Sequence, residues 1–377
     1  MTAAERGARW MERFECGRCH EGTGLAKPPL EKRCVGCHQD IISGHFEAPD
    51  HALEVWRANI VHLRDVPNLN TTAALLRPSW VARFLTRPHD LRPGLEATMP
   101  RLAIDQDQAR DIAAYLAQRM QQSDLGASSD LPQQAAQRTL TPQRLAQGRA
   151  LFAANNCGAC HAFEKPPAWR RLRPQASTPA ERLAPDLRYT RDRMTRERIV
   201  AWLEGPRALL PNTLMPDPGL AVAQVELMTD YLLHAPRNDQ HHPVPARLPP
   251  LDRPVSYAEV EDRILRKVCW HCHSQPDLAR GDGGPGMSGG FGYPGRKLDL
   301  STYGAVLGGY EERDGTPVSV FRAGPSGAAI LLDVLLQRQR EVAGESTSLL
   351  GMPLGLPPLP PEDIQLVESW IAQGRPQ

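Results

Sequence analysis

The sequence predicts an all-α chain, folded as three small helical domains in tandem with long proline- and glycine-rich loops. Three observations lead there. A Cys-x-x-Cys-His pattern recurs along the 377 residues, each time near an amphipathic stretch of helical period; two long stretches place the same landmarks at the same intervals; and 36 prolines, nearly twice the usual share of about 5%, favour short helices joined by stiff, ordered loops.

The pattern appears as Cys16-Gly17-Arg18-Cys19-His20, Cys34-Val35-Gly36-Cys37-His38, Cys157-Gly158-Ala159-Cys160-His161 and Cys269-Trp270-His271-Cys272-His273, which together use all eight cysteines. Two thiols three residues apart lie on one side of a helical turn, where they can add across the two vinyl groups of a porphyrin. The next residue is then an imidazole aimed at the iron. Four covalently attached haem c groups are therefore expected, with His20, His38, His161 and His273 as proximal ligands. A zinc ribbon is the rival for the first two motifs, which have fourteen residues between them, but zinc does not need the histidines. With 12 histidines in the chain, four chance matches are on the order of one in a million. A disulfide framework fares worse, because partners three residues apart close very small loops. Buried porphyrins supply apolar contact area, which fits an aromatic content of only 6%.

Along the chain, Trp10, Met11 and Phe14 stand at helical spacing and predict a helix running into Cys16. Gly7 lies nine residues before Cys16, and Gly148 nine before Cys157. Pro67 precedes Phe84 by seventeen residues, as Pro185 precedes Trp202; Met99-Pro100 and Met215-Pro216 each fall sixteen residues before a tyrosine, Tyr115 and Tyr231, on an amphipathic helix. This is an internal repeat.

The order helix, CxxCH, Pro-x-Leu, aromatic-bearing helix, Met-Pro, closing helix resembles a class I cytochrome c domain, over roughly residues 1–120 and 141–236. The resemblance implies that the carbonyls of Pro67 and Pro185 steady the proximal histidines, and that Met99 and Met215 supply the second axial ligands. The first domain departs from the pattern. From His20 to Pro67 is 47 residues against 24 from His161 to Pro185, and the second motif lies inside the 23-residue excess. Residues 1–120 are thus expected to be a dihaem domain with the second haem in an insertion beside the first. That haem has no methionine of the family, so a histidine should be its distal ligand. His62 is favoured over His51 and His45 because His51, Val55, Ala58 and His62 would share one helical face, whereas His89, next to Asp90, reads as solvated.

Residues 121–140 read as a flexible linker and 237–256, with the solvated pair His241 and His242, as a stiffer one. Residues 257–377 form the last, monohaem domain: a helix Tyr257 to Val268, a glycine-rich loop Gly281 to Gly295, helices at Leu300 to Leu307 and around Ser326 to Gln337, and a closing helix Pro361 to Ala372 with Trp370 inward. The stretches LDLSTYGAVLGG and PPEDIQLVESWIAQG, with Met-Pro between them, are similar to the divergent cytochrome c domains of planctomycete-type proteins. Met352 is the axial ligand expected there, with Met287 the alternative.

The 44 basic and 43 acidic residues leave no electrostatic footprint for nucleic acid, and no apolar run is long enough to span a membrane. Because haem is attached to such motifs outside the cytoplasm, the expected location is periplasmic or on the outer side of a membrane, with a signal peptide or anchor trimmed from the chain as given. These readings imply an extracytoplasmic tetrahaem carrier passing single electrons between a donor and an acceptor protein. It would work free or as a subunit of a membrane quinol-oxidising or terminal oxidase complex. Irons with six ligands argue against catalysis; the alternative is a peroxidase-like or sulfur-oxidising enzyme with one open haem, the inserted one.

Overall fold

A computed structural model describes residues 1–28, 33–60, 63–70, 75–89, 91–95, 99, 101–102, 104–121, 140–164, 178–237, 243–270, 272–274, 297–312, 314–343, 345 and 349–377. The protein is all-α; the one sheet among these residues is a two-stranded antiparallel ribbon, Tyr310–Glu311 with Pro317–Val318, which the sequence reading did not anticipate. The chain divides into two compact units, Met1–Lys27 with Asp65–His241 and Pro28–Arg64 with His242–Gln377. Among the described residues no helix is long and apolar enough to cross a membrane.

In the first unit, helix Ala3–Arg13 starts on a capping box in which Thr2 Oγ accepts the Glu5 amide at 3.2 Å and the Glu5 carboxylate accepts the Thr2 amide at 2.7 Å. It crosses helix Gln106–Gln121 at Gly7, where a Cβ would stand 2.0 Å from the Asp111 carbonyl oxygen and 2.8 Å from the Tyr115 Cβ. Helix Pro142–Ala154 crosses Val222–His234 in the same way, a Cβ on Gly148 falling 2.5 Å from the Tyr231 Cβ. The repeat in the sequence is thus a repeated helix crossing that only glycine permits.

Each crossing is backed by a third helix. Pro78–Thr86, with proline in its first turn, buries Trp80, Val81 and Leu85 against Met11, Ile112 and Leu116. Arg196–Glu204, capped by Thr195 Oγ on the Arg198 amide at 3.3 Å, buries Ile199 and Leu203 against Val225, Met228 and Leu232. Burying one such aliphatic side chain contributes about 1.5–3 kcal/mol. Both tyrosines of the crossings reach back to the stretch after their motif: Tyr115 donates to the Thr23 carbonyl at 3.0 Å and Tyr231 to the Glu164 carboxylate at 2.7 Å.

The two helical sets also bond to each other. Arg77 N–H donates to the Arg193 carbonyl at 2.7 Å, Arg77 Nε to the Met194 carbonyl at 3.2 Å, and the Asp186 amide to the Leu91 carbonyl at 2.8 Å. Leu76 packs on the second core. His89, expected to be solvated, instead lies among Trp80, Phe84 and Tyr189, its ring 4.3 Å from that of Tyr189, because the neighbouring domain covers it. Residues 122–139 of the expected linker lie outside the described residues.

In the second unit, helices Cys34–Ser43 and Asp50–Asn59 enclose a small core of Cys37, Ile41 and Leu53, with Phe46 and Trp56 meeting edge to face at 6.0 Å. The C-terminal part opens on residues 243–256. Expected as a linker, this stretch runs along helix Pro361–Ala372: the Leu251 amide donates to Ser369 Oγ and the Val255 amide to Gln373 Oε1, both at 2.8 Å, and Gln365 Nε2 donates to the Pro249 carbonyl at 2.6 Å. Prolines cannot donate, so the attachment uses the amides between them together with backbone carbonyls, that of Pro249 included.

Helix Tyr257–Val260, capped by Ser256, continues as a π-helix, Glu261–Cys269, and the Trp270 amide reaches back five residues to the Leu265 carbonyl at 2.9 Å. Helix Tyr303–Gly308 starts after its cap Thr302, with Leu300 buried ahead of it. The next helix is Ile330–Val342 rather than a segment from Ser326, because Ser326 is held by Asp333, its amide 3.1 Å from the carboxylate. The closing helix forms as expected around Trp370, which is fully buried with Val260, Ile264, Leu335 and Ile364.

Candidate haem sites

Three of the four motifs share one turn. The amides of His20, His161 and His273 donate to the carbonyls of Cys16, Cys157 and Cys269 at 2.9, 3.0 and 2.8 Å, and those of Cys19, Cys160 and Cys272 reach the same carbonyls at 3.3, 3.3 and 3.1 Å. Ahead of the first and third motifs stand left-handed residues, Glu15 at φ 51° and Asn156 at φ 52°, which bend the chain from helix into motif. The second motif differs: it occupies the first turns of helix Cys34–Ser43, with the Cys37 amide on the Arg33 carbonyl at 2.8 Å.

Behind the imidazoles stand carbonyls. His20 Nδ1 lies 2.9 Å from the Pro67 oxygen and His161 Nδ1 2.8 Å from the Pro185 oxygen. A ring N–H donating there leaves Nε2 free for a metal and fixes the ring's orientation. His38 Nδ1 has the same support from Leu63, at 3.2 Å. No proline marks that position, and the sequence reading missed it; the signal was the interval, 25 residues from His38 to Leu63 against 24 from His161 to Pro185. Burial lowers His20 and His161 below the ordinary imidazole value, although their carbonyl bonds oppose it, and burial likewise lowers His273. Neutral rings are the form that binds metal.

The methionines fall where the motif cysteines are. Met99 packs on the core that takes Cys16, Met215 on the core that takes Cys157, and Met352 on the core that takes Cys269. Trp202 Nε1 donates to the Met215 sulfur at 2.8 Å, and the Met352 amide is tied to the Val334 carbonyl at 2.8 Å. Met287, His271, His241 and His242 lie outside the described residues.

The insertion offers less. Helix Asp50–Asn59 closes with the Ile60 amide on the Trp56 carbonyl at 3.0 Å, so the helical face expected to run from His51 to His62 stops short. On that face His51 and Ala58 are exposed and Val55 is 50% exposed, while the opposite side buries Leu53. His45, also exposed, places Nδ1 3.0 Å from Ser43 Oγ. His62 lies outside the described residues.

No cysteine is in a disulfide, and among the described residues no three His, Cys, Asp or Glu side chains converge as a zinc cage would. Burial pushes the thiols of Cys16 and Cys37 up to about 11 and that of Cys269 to about 12, so in the protein alone they are protonated at neutral pH. A thiol pair, a carbonyl-backed imidazole and a thioether gathered on one apolar core fit a covalently held haem. When bound, haem supplies an iron that gains and loses one electron.

Searches among curated proteins and among solved structures find no match. Residues 145–236 match the family model described as cytochrome c, and with its carbonyl-backed His161 and the Met215 sulfur on the core of Cys157, this stretch is a c-type cytochrome domain that holds haem c covalently and serves electron transfer.

Proposed function

We propose that the chain is a tetrahaem c-type cytochrome that works outside the cytoplasm and passes single electrons between redox proteins, free or as a subunit of a membrane quinol-oxidising or terminal oxidase complex. The observation that carries this reading is the threefold pairing of a motif cysteine with a methionine on one core: Cys16 with Met99, Cys157 with Met215, Cys269 with Met352. An iron held by histidine on one side and methionine on the other changes charge with little movement and has no vacant position for a substrate. The haem of Cys34 and Cys37 takes His38 on one side and a second histidine on the other, from His62, His51 or His45.

An enzyme with one open haem is the second reading, supported by the exposure of both described distal candidates, His45 and His51. Two measurements on the full protein separate the readings. An alkaline pyridine spectrum against protein concentration should give four haems per chain, and fewer would remove the tetrahaem assignment. Carbon monoxide should leave the reduced spectrum unchanged; a shift worth about one haem in four would favour the enzyme.

A further inference from the structure

Two arginines meet at the seam between the halves of the first unit. Arg193, 7% exposed, sends its backbone carbonyl to Arg77, while its guanidinium Nε is buried without an acceptor. The Nε of Arg92 is buried without an acceptor as well. The residues beside them hold the seam closed: the Asp186 amide donates to the Leu91 carbonyl at 2.8 Å, joining the neighbour of Arg92 to the neighbour of Pro185, the residue behind His161. Nearby carboxylates are accounted for. Asp186 lies 2.7 and 2.9 Å from the Arg188 guanidinium, and Asp65 offsets part of the cost of burying Arg92. Burial first, then the charge of Arg92, pushes Arg193 down to about 10, against the pull of Asp186. Arg92 also acts on His20, and Arg193 on His161. His89 Nε2 is a third buried atom without a partner, and it too feels Arg193.

A guanidinium N–H withdrawn from water without an acceptor is costly, and the planar fork of the group matches a carboxylate. We propose that Arg92 and Arg193 form a shared carboxylate-binding pair for the propionates of the two haems on Cys16/Cys19 and Cys157/Cys160, so that one buried cationic pair sets the potentials of both. This rests on haem being attached at both motifs. A cation beside an iron favours its reduced state, and a neutralised propionate no longer favours the oxidised one; both effects raise the potential. Arg92 acts on the His20 side, Arg193 on the His161 side, and each arginine acts on the other, so removing either one reaches one haem directly and the second through its partner.

The test uses the full haem-loaded chain with Arg193→Gln, Arg92→Gln and Arg193→Lys, each checked for haem content before spectroelectrochemical titration. Either glutamine variant should move two of the four redox components to lower potential, by about tenfold in the reduction constant, about 59 mV for one electron. The propionate bending bands in the resonance Raman spectrum should shift in both. Arg193→Lys should restore the potentials, which need the charge, but not the bands, which need the fork. One moving component, or none, at full haem content overturns the shared pair. A wild-type haem count below that expected for the two motifs would instead defeat the reading beneath it. Should Arg193→Gln fail to fold, Arg92→Gln carries the same prediction.

Discussion

At the scale of single residues, the chemistry depends on a few atoms held by distant parts of the chain. The Pro185 carbonyl is 24 residues from His161 and the Pro67 carbonyl 47 from His20, yet both end within 2.9 Å of a ring nitrogen. Each methionine sits on a different core, which makes them separable by substitution. A thioether on oxidised haem iron gives a weak far-red band. Met99→Ala, Met215→Ala and Met352→Ala should each remove about a third of it if the three haems absorb alike. A band that survives Met352→Ala in full would pass that ligand to Met287 or leave that haem without one.

At the scale of elements, the crossings at Gly7 and Gly148 set how near the paired helices come. Gly148→Ala should cost about 1–3 kcal/mol in denaturant unfolding, since its Cβ must displace that of Tyr231. A loss inside about 0.5 kcal/mol would show that the helices can slide apart there. Helix Val222–His234 also carries Asp230, whose side chain is 2% exposed and pairs with Arg144 and Arg196, each at 2.6 Å. Burial alone would raise this carboxyl, but the two arginines hold it below the ordinary carboxylate value. A folded value below the unfolded one means that the stabilisation is complete above the ordinary carboxylate pKa and is lost as pH falls through the folded value. Asp230→Asn should therefore cost about 3 kcal/mol at neutral pH and flatten the acid limb of the stability curve below about pH 4. An acid limb as steep as that of the wild type would assign the transition to another carboxylate.

For the whole molecule, ligand type predicts the order in which electrons arrive. A second imidazole donates more density than a thioether and stabilises oxidised iron, so under the proposed tetrahaem assignment a haem on Cys34 and Cys37 should be the last of four to be reduced. The lowest-potential quarter of the haem signal reports it. His62→Met, His51→Met and His45→Met, titrated in parallel, should raise that quarter in one variant only. Absence of a low-potential quarter in the wild type would refute the second imidazole. The Leu63 carbonyl behind His38 matches the carbonyls behind His20 and His161, so the proposed difference in potential is assigned to the distal side.

The motif turns were legible in the chain because they are local: two thiols and an imidazole stand as near neighbours on one turn, and spacing states that directly. The repeat was legible for a related reason. Gly7 and Gly148 keep one interval to their motif, Pro67 and Pro185 one to the aromatic that follows, and Met99 and Met215 one to their tyrosine, because each pair marks one step of the same backbone path. What tertiary structure alone decided lies between segments far apart in sequence. Leu63 serves through a backbone carbonyl, which any residue type can offer, so no side chain announces it. Residues 243–256 look like a linker by composition, but their amides and carbonyls find partners on helix Pro361–Ala372. His89 reads as a surface residue because its side chain is polar. Its Nε2, like the Nε of Arg92 and of Arg193, is buried where the two halves of the first unit close together, and the complementarity of two surfaces leaves no periodic trace in either sequence.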